Sequence, residues 1–568
     1  MSALTAAGRR TALTDTAGTF ALYGDGVASI VVACRYCAPA TFSVTAGQPV
    51  VAIVRRYDAL VETAPSAEDL ASLPYAHVES AVALRPFTLL RQTAAIYPGS
   101  QLSDRGLQPA NALLLDAGVA DYDVTFAQSP YTLIPAQYEQ TATVLAPSNA
   151  FLYGDQAGSG IVALQPFGGT NADVALLGSE SILRFSAASN GVAVAAGSSS
   201  DSDESRQRAD VQATIPLSSA QNIDVNAGSE QGRQFGAPSP TLAGSFSFAN
   251  AVFNDVQPTI ETRAAFSDDR GDYDSDYDDA VVSDLWSDAQ LSAGVRTRGP
   301  VAFFADIADR LSTGIYDPQV FGAPRIGATL EQNRVDAGID ATGTDYAVTA
   351  GVGLFGFAYH GGTGGTSFPS SGRLATPSLS IGLFPSSRWS ARLEASDSFN
   401  LPTFWEQYGY GENYGTVTYD RAALYAADVS YTDESRLRVS LEEASQQIHG
   451  YTNGSVSSSG ASLEWQVAPT LSLRAWTMLA SDGTTPSDQV AYAPNGVQPN
   501  VNAFWATYED AADVRADVIY RKDLLDGRPF YHVDGDLSGP IAGGLRWYAG
   551  VEDRLLVRHL DVGLRFTQ

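Results

Sequence analysis

The chain has 568 residues, and 63 Asp or Glu against 34 Lys or Arg leave a net charge of −29. A field of that sign repels phosphate backbones and argues against nucleic acid as a partner. With 44% hydrophobic and only 17% charged residues, the chain is too apolar for a disordered acidic protein and can bury a large core.

From Thr11 to about Tyr57 the pattern predicts short strands at Thr19 to Tyr23, Ala28 to Ala33, Phe42 to Thr45 and Val50 to Val54, separated by turn residues. Residues 1–60 therefore read as a small β-sandwich. The opening MSALTAAGRR lacks the apolar stretch of a secretory signal, so no signal peptide is expected within this chain, and taken alone that start says cytoplasm. Cys34 and Cys37 form C-R-Y-C with no second Cys pair and no His nearer than His77, which excludes a structural zinc site. A disulfide, two thiols and a redox pair remain open. Pro39 and the strand pattern that follows oppose the redox pair, whose first thiol needs a helix N-terminus.

Residues 61–166 read as a compact α/β unit. It has a helical candidate at Ala67 to Leu73, apolar runs at Ala112 to Leu115 and Thr143 to Leu145, and many Gly and Pro breaks. Residues 167–568 change texture to period-2 segments divided by turns. Leu379, Ile381 and Leu383 alternate with Ser378, Ser380 and Gly382. After the turn Pro385 to Arg388, Trp389, Ala391, Leu393 and Ala395 alternate with Ser390, Arg392, Glu394 and Ser396. Leu463, Trp465 and Val467 oppose Ser462, Glu464 and Gln466, while Leu437, Val439 and Leu441 oppose Arg436, Arg438 and Glu442.

No window holds the ~18 apolar residues of a membrane helix; the best, Val348 to Tyr359, is broken by Gly351, Gly353 and Gly356. Alternation alone fits either a soluble sandwich or a membrane barrel with lipid outside and a polar lumen. Aromatics at predicted strand ends, Trp389, Phe404-Trp405 and Trp547-Tyr548, suit interfacial girdles. In the closing strand, Leu560, Val562, Leu564 and Phe566 share one face. Both features favour the barrel.

Three motifs in order carry a resemblance. Ser103-Asp104-Arg105-Gly106-Leu107 followed by Leu113-Leu114-Leu115-Asp116-Ala117-Gly118-Val119 resembles one plug element of TonB-dependent outer-membrane receptors. The segment from Val144 through Pro147, Tyr153-Gly154, Gly158 and Gly160 to Val162 resembles the element that closes that plug. Phe399-Asn400-Leu401-Pro402-Thr403-Phe404-Trp405-Glu406-Gln407-Tyr408 is similar to the family's barrel signature, of which Phe399, Pro402, Thr403, Glu406 and Tyr408 match. The sequence departs from the family at Ala117, at Leu145-Ala146 and at Asn400, and it shows no TonB box. More weakly, Thr14-Asp15, Gly18 and Phe20 resemble a carboxypeptidase-regulatory-like domain.

The resemblance implies a mainly β fold: a large antiparallel transmembrane barrel of about 22 strands around an α/β plug, preceded by a small β-sandwich. It implies an outer-membrane location in a Gram-negative-type bacterium. Its partners would be a TonB-type energy-coupling protein in the periplasm, outer-membrane lipid and a small extracellular ligand, with the protein a monomer. The ligand would be scarce or bulky, such as a ferric siderophore or cobalamin. In an oxidising periplasm, a structural disulfide is the reading chosen for Cys34 and Cys37. About 400 residues over 22 strands leave roughly 18 for each strand and its connection, which implies short loops on average.

Single-residue chemistry is sparse, and neither an enzyme nor a cofactor is expected. Gly351, Gly353 and Gly356 formally satisfy G-x-G-x-x-G, but a strand and not a helix follows, so a nucleotide site is not assigned. Asp272, Asp274 and Asp276 lie in the acidic run Asp268 to Asp279, which reads as a solvated loop before it reads as a calcium site, because no distal Glu follows in register. Arg392, Arg438 and Glu442 are expected to face the lumen. The rivals to a receptor are a passive outer-membrane channel or adhesin with a degenerate plug, and a secreted soluble β-protein.

Overall fold

The computed structural model describes residues 2–5, 8–11, 29–34, 37–43, 61–63, 82–92, 100–107, 112–116, 119–121 and 139–166. From 171 to 567 it describes all but 177–180, 190–191, 201–203, 219, 236–240, 278–279, 319–324, 344, 364–365, 368–369, 386–387, 405–418, 434–436, 451–452, 469, 483–499, 511, 526–527, 543–544 and 555–556. Met1–Val61 and Glu62–Gln568 form two compact units.

In the first unit, Gly8–Thr11, Ser2–Thr5, Ser29–Cys34 and Cys37–Ser43 form a four-stranded sheet in that order. The strand predicted at Ala28 to Ala33 is present. Those at Thr19 to Tyr23 and Val50 to Val54, and the residues that carry the carboxypeptidase-regulatory-like resemblance, lie outside the described residues. Cys34 and Cys37 are backbone partners across a tight hairpin; their side chains lie outside the described residues.

The second unit has an inner domain and a wall. Leu113–Asp116 pairs in parallel with Ile161–Pro166, which pairs antiparallel with Glu139–Leu145, so the two apolar runs of the sequence become strands of one sheet. The helical candidate at Ala67 to Leu73 lies outside the described residues. A hairpin, Thr88–Gln92 with Ser100–Asp104, joins the wall strand Arg515–Leu525 through Arg91 and Gln92.

From Asn171–Leu176 to Val557–Thr567 each wall strand pairs antiparallel with the next, and the last pairs with the first, so the sheet closes. Among the described residues the wall has twenty-two strands, with Thr366–Ser367 a two-residue piece inside one hairpin. Closure leaves no free edge, which is what a sheet in lipid requires. At the rim that carries residues 171 and 567, connections are two to five residues long. The opposite rim carries the longest, 401–419 and 483–499. Several strands, such as Val301–Pro318, run 18 residues, whereas a span needs only about 9–11. The wall is therefore taller than the apolar core of a bilayer.

The alternation has its predicted consequence. Leu379, Leu393, Leu441, Trp465 and Leu560 point outward and are 40–61% exposed, while Ser380, Arg392, Glu394, Ser440 and Glu442 are buried inside. No helix among the described residues is long and apolar enough to cross a membrane. Two expectations change. The acidic run is not a loop: Ile260–Tyr277 continues as strand through it, because its backbone pairs with Ala280–Thr297 regardless of charge. Phe404 and Tyr548 are not girdle residues but face inward and are buried, Phe404 on Tyr359 and Tyr548 over Gly563.

Candidate functional site: the interface between inner domain and wall

After Ser100–Asp104 the chain reverses through Arg105 and Gly106, both in the left-handed region (φ +56° and +70°), a turn that Gly makes without strain. The turn drives the Arg105 guanidinium into the wall, where it is buried against Glu394 (3.5 Å) and Glu442 and also touches Asp104 (3.3 Å). Asp104 receives Arg85 at 2.7 Å, while on the wall Arg392 lies 3.1 Å from Glu394 and 3.4 Å from Asp428. Three guanidinium groups and four carboxylates thus interlock across the interface. Burial alone would push the Asp104 carboxyl up, but Arg105 and Arg85 hold it below its ordinary value; burial also draws Arg85 down.

Apolar contacts flank the ions. Leu107 packs among Ala422, Leu424, Ala444, Ile448 and Val456. Phe87 stands edge-on to Trp476, with ring centroids 6.5 Å apart, and rests over Gly460, where a Cβ would overlap its ring. Phe151, in the short helix Ala150–Tyr153, sits on Gly351 and Gly353: a Cβ at Gly351 would overlap the ring, and one at Gly353 would come 2.6 Å from the Phe151 carbonyl oxygen. The G-x-G-x-x-G of the sequence is therefore a seat in a strand.

The two predicted plug elements meet. Gly160 (φ +104°) lies against Asp104, where a Cβ would come within 3.0 Å of the Asp104 Cβ, and the Asp104 amide donates to the Ser159 carbonyl at 2.8 Å. Pro147 opens the turn Pro147–Asn149 and is buried; Gly154 (φ +87°) lies under Phe355; and the Gly158 carbonyl accepts from Gln446 at 3.3 Å. Phe399 packs on Phe355 at 4.9 Å, and the Pro402 carbonyl accepts the Tyr359 hydroxyl at 2.5 Å. Thr403 follows and is half-buried. Arg438 pairs with Glu464 at 3.8 Å.

Gly118, Glu406, Tyr408 and the side chains of Asp116, Asp274, Asp276 and Phe566 lie outside the described residues. The backbone of Phe566 pairs with Ala172 and Leu545. Asp272 is half-buried, and no group of His, Cys, Asp or Glu among the described residues is arranged to hold a metal. Arg85, Phe87, Phe151 and Glu394 were not singled out by sequence. For Glu394 the signal was its place on a lumen face; for the two Phe, their distant glycine seats left none.

In one place the inner domain stands off the wall. Leu152 and Tyr153 border a cavity of about 80 Å³ that is closed on the wall side by Asn250, Arg263, Asp306 and Arg334. Burial pushes the Tyr153 phenol up.

This plugged, closed wall has close counterparts among solved structures. The alcaligin outer-membrane receptor FauA of Bordetella pertussis matches with a TM-score of 0.71 at 11% identity, over 95% of this chain and 98% of that one. The copper transporter OprC matches at 0.73 and 10%, over 90% and 100%. The fold is that of the TonB-dependent receptors. The ferric citrate transporter FecA, at 0.70 and 12% over 89% and 96%, shares it too. By sequence, no protein-family model and no curated protein matches the chain. At such identities the likeness is one of fold, and the inner domain is a plug in the geometric sense of lodging within the wall.

Proposed function

We propose that this chain is a TonB-dependent outer-membrane receptor that imports a scarce or bulky ligand, of the kind typified by ferric siderophores or cobalamin. The observation that carries the reading is the plug itself, held within the barrel by a buried ion cluster that bridges inner domain and wall. A passive pore has no use for such an obstruction. The alcaligin, copper and ferric citrate of the proteins that share the fold support a metal complex as cargo.

In this reading residues 1–60 form a periplasmic domain with a Cys34–Cys37 disulfide, 61–166 the plug and 167–568 the barrel, with Phe566 ending the strand that closes it. A TonB-type protein pulls on the plug, and the monomeric barrel sits in outer-membrane lipid. The chain does no chemistry on its cargo.

The test is bilayer conductance. Intact protein should stay closed, and deletion of residues 61–166 should give large, steady conductance. Open-pore conduction by intact protein would favour the passive-channel rival, and absence of current from both forms in a protein soluble without detergent would exclude the barrel function.

A further inference from the structure

The wall ladder between Ser370–Leu383 and Trp389–Asn400 runs from Leu383 opposite Ala391 to Ser378 opposite Ser396, and stops there. Next on one strand is Pro377, which has no N–H to donate. Both strands continue on their other sides: Ser370 still pairs with Tyr359, and Asn400 with Asp420. The two therefore part as a seam, with the eight residues Ser370 to Pro377 forming one lip in the half nearer the long connections. One missing N–H does not explain a gap of that length, and unpaired backbone is costly in a membrane wall.

The plug touches the base of the seam and the end of one lip. Below Pro377, the Ser378 hydroxyl donates to the Ser148 carbonyl at 2.5 Å. On the other lip, continued register would set Leu401 opposite Arg373, yet the Leu401 amide donates instead to Asp155 Oδ1 at 2.7 Å. The Leu401 carbonyl accepts Gln156 Nε2 at 3.4 Å. Asp155 and Gln156 are buried, and Gln156 holds a left-handed backbone (φ +64°) that a non-glycine residue rarely adopts. Phe399, whose alternate neighbour Leu393 faces outward, is turned in and buried.

We propose that the plug turn from Pro147 to Gln156 is a wedge that holds this seam apart, and that its withdrawal lets residues 397–401 pair with 373–377. Leu401 is also the first residue of the nineteen-residue connection 401–419 at the outer rim. Plug position and the anchoring of that connection are then two readouts of one equilibrium, so a ligand that favours one arrangement at the rim biases the other at the plug. This inference rests on the reading of the inner domain as a movable plug and names the wall element that senses it.

The test uses the full-length chain with Cys34→Ser and Cys37→Ser, and introduces the pair Arg373→Cys with Leu401→Cys or the control pair Leu379→Cys with Ala395→Cys. Copper–phenanthroline and dissolved oxygen supply the oxidant. Leu379 and Ala395 are paired in the ladder, and an even six-residue offset along the strand gives 373 and 401 the same pairing class if the seam closes. Facing positions reach disulfide distance and parted ones do not, so 373/401 should cross-link at least about tenfold more slowly than 379/395.

Adding Asp155→Ala with Gln156→Ala should bring 373/401 close to the control rate, whereas Asp155→Asn, which keeps an acceptor oxygen, should leave it slow. Two results would overturn the wedge: equal rates with the wild-type turn, or a 373/401 rate unmoved by the double alanine change while 379/395 cross-links normally. Neither depends on conductance, so failure here is separable from failure of the transport reading.

Discussion

Two sectors of one wall meet the plug in different ways. Between Tyr346 and Asp482 the plug is held by the Arg105 cluster, by rings seated on glycines and by Leu107 in an apolar socket. Between Thr241 and Thr342 it meets an apolar patch of the wall, with Phe151 on Phe304 at 6.1 Å, and borders a cavity across Leu152 and Tyr153. Apolar contact is thus shared by both sectors, whereas the buried charge is concentrated in one. The largest perturbation should lie where charge is buried. Arg105→Leu leaves Glu394 and Glu442 short of a partner, and removing one member of such a set costs about 3–5 kcal/mol. The urea midpoint for proteolysis within the plug should fall accordingly, with heat-modifiability of the barrel unchanged.

The seats should matter next. Gly351→Leu forces a side chain into the space of the Phe151 ring, and overpacking of this kind costs about 1–3 kcal/mol. Phe151→Ala in the same chain should recover part of that loss by the same assay. Two losses that simply add would mean the ring and the glycine are not coupled.

Much of this architecture was legible, because period-2 alternation has one meaning once a sheet is closed. Leu379 and Leu393 point outward and Arg392 and Glu442 inward, as their parity requires. Rules of local sequence failed where tertiary pairing overrides them. Asp268 to Tyr277 looks like a solvated loop, yet it is strand because the strands on both sides supply its backbone partners. Phe404 ends a predicted girdle, yet it turns inward onto Tyr359, because the strand has ended at Asn400 and strand alternation no longer sets its side. The plug site was legible only in its turn residues, Arg105-Gly106 and Gly160. Its partners Glu394 and Glu442 lie hundreds of residues away, where a single sequence gives parity but no pairing.

Acid should weaken the held sector within a narrow window. Asp104 is held below its ordinary value, so its contribution is present above the unfolded-chain value of about 3.9 and is lost only as pH falls beneath it. The difference in plug stability between wild type and Asp104→Asn should therefore stay constant from neutral pH to about 4 and shrink below that. A difference already fading near pH 6 would assign the acid response to another group.

The smallest effect is expected in the cavity sector, and it decides whether the contrast is real. Arg263 lines the cavity and is exposed to the lumen, so its charge is already solvated and any pairing with Asp306 is screened. Arg263→Gln removes that charge without emptying a packed site or stranding a buried partner. Substitutions of this type usually fall within about 0.5 kcal/mol, so the urea midpoint of the plug should barely move. If Arg263→Gln lowered it as far as Arg105→Leu, buried charge would not be what sets the first sector apart and the contrast would fail.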